Sequence, residues 1–235
     1  MRAKGNLSPP QRLRKMHRLL EEAYGPQHWW PAESPFEVVI GAYLTQNTSW
    51  NAAARSIANL RAAGALTAKG IRDLPIGQLM ALIRPSGFAT RKAPALKAFV
   101  TMLDAEFDGS MDALAATPTN PLRVRLLALP GVGPETADAI LLYALNHPVP
   151  VIDEYLRRIA MRHSLEDAAP ERKGYEQLGD LVRAAFAADP QTAQVPLLNQ
   201  QHALVVAVGK AHCGKVARCE ECPLLPDLLS LTPAD

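Results

Sequence analysis

The sequence predicts an all-α protein. Apolar residues recur at helical spacing along most of the chain, and no segment alternates as a half-buried strand does. One stretch, Leu126 to Leu142, reads as helix, tight turn, helix, and the chain is organised around it. No internal repeat and no low-complexity linker interrupts the pattern.

In order, residues 9 to 24 carry Leu13, Met16, Leu19, Leu20 and Ala23 at helical spacing, with Arg12, Arg14, Lys15 and Arg18 between them. Such a basic face reads first as solvated. Trp29-Trp30-Pro31 follows on a turn, and two adjacent tryptophans cannot both enter one core from a helix. Pro35 opens a helix through Phe36, Val38, Val39, Ile40 and Tyr43, which ends near Leu44-Thr45-Gln46-Asn47-Thr48. Ser49 caps the next, Trp50 to Leu60. Residues 66 to 84 give two short helices, broken at Asp73-Leu74-Pro75. A turn at residues 84 to 88 leads to a longer helix, Arg91 to Phe107, with Lys92 and Lys97 on its polar side. Asp108-Gly109 turns again, and Asn120-Pro121 starts the first helix of the central stretch.

In that stretch Pro130 cannot continue a helix and sets its exit. Gly131 and Gly133 admit backbone angles that a side chain forbids and let another molecule approach bare backbone. Pro134 suits the first turn of the second helix, whose open N–H groups and positive dipole end make a phosphate site. Thr136 to Asn146 is apolar at its inward positions, and Pro148 to Ile152 is extended because its prolines force it. Asp153 then caps a helix with Leu156, Ile159 and Ala160 on one side and Arg157, Arg158 and Arg162 on the other. Residues 171 to 188 and 192 to 208 form two more helices.

The 235 residues fit one large or two small domains with a sizeable core. No apolar run approaches the ~20 residues of a membrane span, and no signal-peptide core follows Met1. A soluble cytoplasmic monomer with no membrane partner is expected. A net charge of +2 neither demands nor excludes nucleic acid. The three cysteines, Cys213, Cys219 and Cys222, point to a metal or cluster rather than a disulfide framework.

The run Leu-Pro-Gly-Val-Gly-x-x-Thr-Ala, with Val151-Ile152-Asp153 eighteen residues after Glu135, resembles the helix-hairpin-helix of the endonuclease III superfamily of DNA glycosylases. The hairpin Gly-x-Glu-Thr-Ala-Asp-Ala-Ile-Leu, the early Trp-Pro and Leu-Thr-Gln-Asn-Thr look most like its 3-methyladenine glycosylase branch, over about residues 29 to 210. The resemblance implies two lobes: a six-helix barrel at about 26 to 146 ending in the hairpin at about 120 to 146, and a second lobe from 1 to 25 and 147 to 235. Damaged double-stranded DNA would be kinked and one base flipped into the cleft between Glu135 and Asp153.

The same resemblance assigns roles. Asp153 is the catalytic carboxylate, able to stabilise an oxocarbenium-like sugar and to orient or deprotonate the attacking water. Capping its helix is its plainer role. Glu135 stands where bifunctional members carry the Schiff-base lysine, so β-lyase activity is not expected. Leu129, Gly131, Val132, Gly133 and Thr136 are the hairpin's DNA contacts, and Gln46 fills the gap left by a flipped base. Trp29, Trp30 and Pro31 form the stacking wall, with Lys210 beside the pocket. Lys215 and Arg218 are placed to meet phosphate.

The family ends in four cysteines that hold a [4Fe–4S] cluster. Here the first gap is one residue shorter, and the fourth cysteine's place is taken by Leu228. A cluster in the 213 to 228 loop held by three cysteines with Asp227 or water, a zinc held by the cysteines and Asp227, and a metal-free tail all stand open. So do three functions: a monofunctional glycosylase of alkylated purines, an endonuclease III-like enzyme for oxidised pyrimidines, and a non-catalytic binder of damaged DNA. A metal-stapled scaffold with no DNA role stands behind them.

Overall fold

The structure is a computed structural model and describes residues 7–30, 32–165 and 174–230. The described residues contain helices and turns and no named strand, only an isolated bridge between Cys213 and Ala217. The chain divides into two compact units, Trp30–Val149 and the pair of segments Met1–Trp29 and Pro150–Asp235. No described helix is long and apolar enough to cross a membrane.

The Trp30–Val149 unit is built around α2 (Pro35–Leu44). Its sequence is apolar on every side, so it becomes a core helix, with Phe36 to Leu44 all buried. The Ser34 side chain caps it by accepting from the Glu37 N–H, and Ser49 caps α3 (Trp50–Ala62) likewise from Ala52. The break at Leu74-Pro75 separates α4 (Ala68–Asp73) from α5 (Ile76–Leu82). Then come α6 (Ala89–Phe107), α7 (Met111–Ala115), α8 (Thr119–Leu127) and α9 (Pro134–Ala139). Tyr43, Phe99, Leu96, Leu126 and Ile140 are fully buried in the shared core. Each such side chain contributes roughly 1.5–3 kcal/mol.

Three local expectations change. Lys92 is not on a polar face; it is 4% exposed, and Nζ donates to the carbonyls of Leu44 and Ser86, both at 2.8 Å. These two carbonyls satisfy the buried ammonium, while burial lowers its pKa. The short α7 was not anticipated. The apolar run after α9 widens into a π segment, Ile140–Ala144.

In the other unit α1 (Pro9–Tyr24) packs on α11 (Gly174–Phe186) and α12 (Gln194–Ala211). Residues 171–173 of the expected helix lie outside the described residues. The basic face of α1 is not simply solvated: Arg12 and Arg14 reach Asp227 and Asp189. α10 (Glu154–Arg162) crosses α12 where Gly209 meets Tyr155, and a Cβ on Gly209 would lie 2.2 Å from the Tyr155 ring. α13 (Leu225–Leu229) closes the described chain.

Candidate active site

The hairpin turn is fixed by its own backbone. Leu129 N–H donates to Leu126 at 3.0 Å, Val132 to Leu129 at 3.2 Å and Ala137 to Gly133 at 2.9 Å. Gly131 takes φ +77°, a left-handed angle that glycine adopts without strain. Nothing lies within 4 Å of a Cβ built on Gly133, so its backbone is open to an approaching molecule. Among the described residues, the N–H groups of Gly131, Gly133 and Thr136 have no hydrogen-bond partner. Leu129 and Val132 have their N–H groups engaged inside the turn, and the two residues are 7% and 8% exposed, so they anchor the turn in the core.

Gln46 also reaches the hairpin. Its amide donates to the Gly131 carbonyl and to the Thr136 hydroxyl, both at 2.9 Å. Behind the turn, Arg123 on α8 grips Asp138 on α9 with two N–H groups, at 2.6 and 3.0 Å. Glu135 is exposed in the first turn of α9.

Asp153 caps α10, and its Oδ1 accepts from the Leu156 N–H at 2.7 Å. Its Oδ2 lies 3.7 Å from Nε2 of His202 on α12. Asp153 is 8% exposed and follows the buried Val151 and Ile152. One oxygen is thus immobilised and the other faces an imidazole. His202 ends the polar run Asn199-Gln200-Gln201-His202 of α12, and its nearness to Asp153 is a product of the α10–α12 packing.

The tryptophans part company. Trp30 packs inside its unit, edge-on to Trp50 at 5.6 Å and tilted on Tyr143 at 5.4 Å. Gly41 leaves room for it: a Cβ there would lie 2.9 Å from the indole. Trp29 carries Lys210 Nζ 5.5 Å above its ring. Both indole N–H groups are buried without a partner. Such orphaned donors call for an explanation, and a bound ligand is one. Pro31 lies outside the described residues.

Cys213, Cys219 and Cys222 line one cavity of about 270 Å³, together with Arg162, His163 and Leu228. Arg162 donates to Cys213 Sγ at 3.0 Å, and Arg158 to the Cys213 carbonyl at 2.8 Å. Burial pushes the Cys222 thiol up, a backbone hydrogen bond at Leu224 opposes the rise, and the neighbouring Cys219 and Cys213 add smaller upward contributions. The buried Tyr24 hydroxyl, within electrostatic reach of Cys222, has no partner. Among the described residues no three His, Cys, Asp or Glu side chains form a group that could hold a metal ion.

Asp227, the expected fourth ligand, is engaged elsewhere in the structure. It is not among the residues lining the cavity. Its two oxygens take Arg12 Nε at 3.0 Å, Arg12 Nη2 at 2.6 Å and His163 Nδ1 at 2.8 Å. Lys215 is exposed, and Arg218 folds back on the Ala211 carbonyl at 2.6 Å.

A hairpin with open N–H groups followed by a capping carboxylate, on an all-helical frame, defines a helix-hairpin-helix DNA repair glycosylase. Residues 40–184 match the HhH-GPD superfamily of base excision DNA repair proteins, and the chain belongs to that superfamily. It is 38% identical over 218 residues to "Putative DNA repair glycosylase MJ1434" of Methanocaldococcus jannaschii, covering 92% of this chain and 95% of that one. Endonuclease III of Sulfolobus acidocaldarius is 25% identical over 189 residues, covering 80% and 78%. Among solved structures, the H. pylori 3-methyladenine DNA glycosylase MagIII bound to 1,N6-ethenoadenine superposes with a TM-score of 0.75 at 27% identity, covering 90% of this chain and all of that one. A non-covalent endonuclease III–DNA complex reaches 0.75 at 20% identity over 94% and 95%, a likeness of fold.

Proposed function

We propose that the chain is a monofunctional DNA glycosylase that removes alkylated purines from double-stranded DNA. The observation that carries this is Asp153: a buried carboxylate with one oxygen pinned by the Leu156 N–H and the other beside His202. Cleavage of an N-glycosidic bond develops positive charge on the sugar, and a fixed carboxylate stabilises that charge without first having to reorganise. The free oxygen is placed to orient the attacking water or take its proton.

Glu135 supports the monofunctional reading, since a carboxylate cannot form a Schiff base. A 3-methylated purine is already cationic and leaves without being protonated. Trp29, with Lys210 above its ring and its indole N–H unpartnered, supports recognition by stacking. The 27% identity to MagIII supports the same substrate class. The hairpin holds DNA through the N–H groups of Gly131, Gly133 and Thr136, contacts that position the duplex without reading sequence. Gln46 reaches DNA from the position that its hairpin bonds give it. Lys215 adds a phosphate contact, and the enzyme acts as a monomer in the cytoplasm.

The cysteine cavity fits a [4Fe–4S] cluster in three respects: three thiols line one space, a cationic N–H meets one sulfur, and an orphaned hydroxyl lies near another. Cys213, Cys219 and Cys222 would hold it, and it would supply a covalent tie within the 213–222 loop. The cysteines also favour a second reading, an endonuclease III-like enzyme for oxidised pyrimidines.

The replacement Asp153→Asn tests the assignment. Base release should fall by about 10²–10⁴-fold, with DNA affinity retained. Unchanged release would remove Asp153 from the chemistry, and a parent protein that binds but releases nothing would be a damaged-DNA binder.

A further inference from the structure

We propose that His163 supplies the fourth protein ligand of the cluster through Nε2, a reading that rests on the cluster proposed above. Three cysteines leave one iron of a cubane without a thiolate. Leu228 lines the cavity at the missing cysteine's place and has no donor atom. His163 also lines the cavity and is 3% exposed.

The ring's orientation is set from behind. Nδ1 is 2.8 Å from Asp227 Oδ2, and that carboxylate is gripped by two N–H groups of Arg12. An ionised carboxylate only accepts, so Nδ1 carries a proton, and in the neutral ring Nε2 is the nitrogen with the lone pair. Among the described residues the hydrogen bond of this ring runs from Nδ1. Arg12 Nη2 also donates to the His163 carbonyl at 2.7 Å, so backbone and ring are held together. Imidazoles that bind metals regularly donate their other N–H to a carboxylate, which fixes tautomer and direction. Asp227 is thus the support of a ligand and not the ligand itself.

The four ligands of a cubane each bind a different iron, so they surround the cluster instead of converging on a point. Cys213, Cys219, Cys222 and His163 all line the one cavity. His212 is the competing imidazole, but it is half-exposed and its Nδ1 meets the Arg218 carbonyl at 3.2 Å with no carboxylate behind it. Exchange of a thiolate for a neutral imidazole removes a negative charge and raises the reduction potential.

The test uses the full chain, isolated without oxygen, with iron and acid-labile sulfide measured first. Absence of both overturns the cluster reading, and this proposal with it. With a cluster present, the chain is labelled with ¹⁵N-imidazole histidine, reduced, and examined by pulsed EPR. A strong nitrogen coupling is expected in the parent and in His212→Ala, and none in His163→Cys. His163→Cys should keep about four irons per chain at a lower reduction potential, and His163→Ala should fall to about three. A cluster without nitrogen coupling in the parent, or with coupling that survives His163→Cys, overturns the role of His163 and leaves the cluster reading intact. The parent spectrum and the cysteine variant decide the matter even if the alanine variant fails to fold.

Discussion

Two buried aspartates, each gripped by two N–H groups of one arginine, hold two landmarks of this chain, and they teach opposite lessons. Asp138 secures the hairpin through Arg123, fifteen residues upstream. Asp227 secures the tail through Arg12, 215 residues away. The chemistry is the same. The hairpin's clasp joins consecutive helices, so turn residues already place its partners together. The tail's clasp exists only after α1, the end of α10 and α13 have met.

Breaking each clasp should sharpen that difference. Arg12→Ala leaves Asp227 buried, 3% exposed in its side chain, without its cation. A cost of about 3–5 kcal/mol is expected, read as a lower denaturation midpoint. Arg123 is 22% exposed, so water can replace part of its contact. Arg123→Ala should cost about 1.5–3 kcal/mol and weaken DNA binding more than Arg12→Ala does. Equal stability losses with equal binding losses would erase the distinction.

Gly209→Ala probes the α10–α12 approach beside Asp153. Its Cβ would overlap the Tyr155 ring, and overpacking of this kind costs about 1–3 kcal/mol. Melting temperature and base release should fall together, since the same crossing positions Asp153 and His202. Gln46→Ala removes two hydrogen bonds to the hairpin, worth about 0.5–1.5 kcal/mol each. Duplex affinity should drop several-fold with little change in melting temperature.

The tail's clasp also carries a pH signature. Burial opposes ionisation of Asp227, but hydrogen bonds from His163 and Arg12 outweigh it and hold the carboxyl below its ordinary value. A folded value below the unfolded one, about 3.9, contributes stability that is complete above that pH. The contribution is lost as pH falls through the folded value. Acid unfolding monitored by circular dichroism should therefore begin at higher pH in Arg12→Ala than in the parent.

The hairpin was legible in the sequence because prolines and glycines dictate backbone angles without reference to the rest of the chain. The helices followed from periodicity for the same reason, and Ser49 and Asp153 are caps where the pattern puts them. What was not legible depends on distant partners. Lys92 looked like a surface lysine until two carbonyls from other segments were seen to meet it. Asp227 looked like a metal ligand because proximity in sequence to cysteines says nothing of Arg12. His202 and His163 carried no signal at all, since a lone histidine gains meaning only from what folds against it. Leu129 and Val132 share the hairpin motif, yet only the structure separates N–H groups used inside the turn from those left open.

The most direct test of the central claim is base release from two duplexes, one with alkylated purines and one with an oxidised pyrimidine, each with and without alkali after the enzyme step. Release of alkylpurine, with strand breaks only after alkali, is the expected result. Nicking of the oxidised-pyrimidine strand without alkali would contradict it: an amine would then form the Schiff base that Glu135 cannot, and the enzyme would be endonuclease III-like.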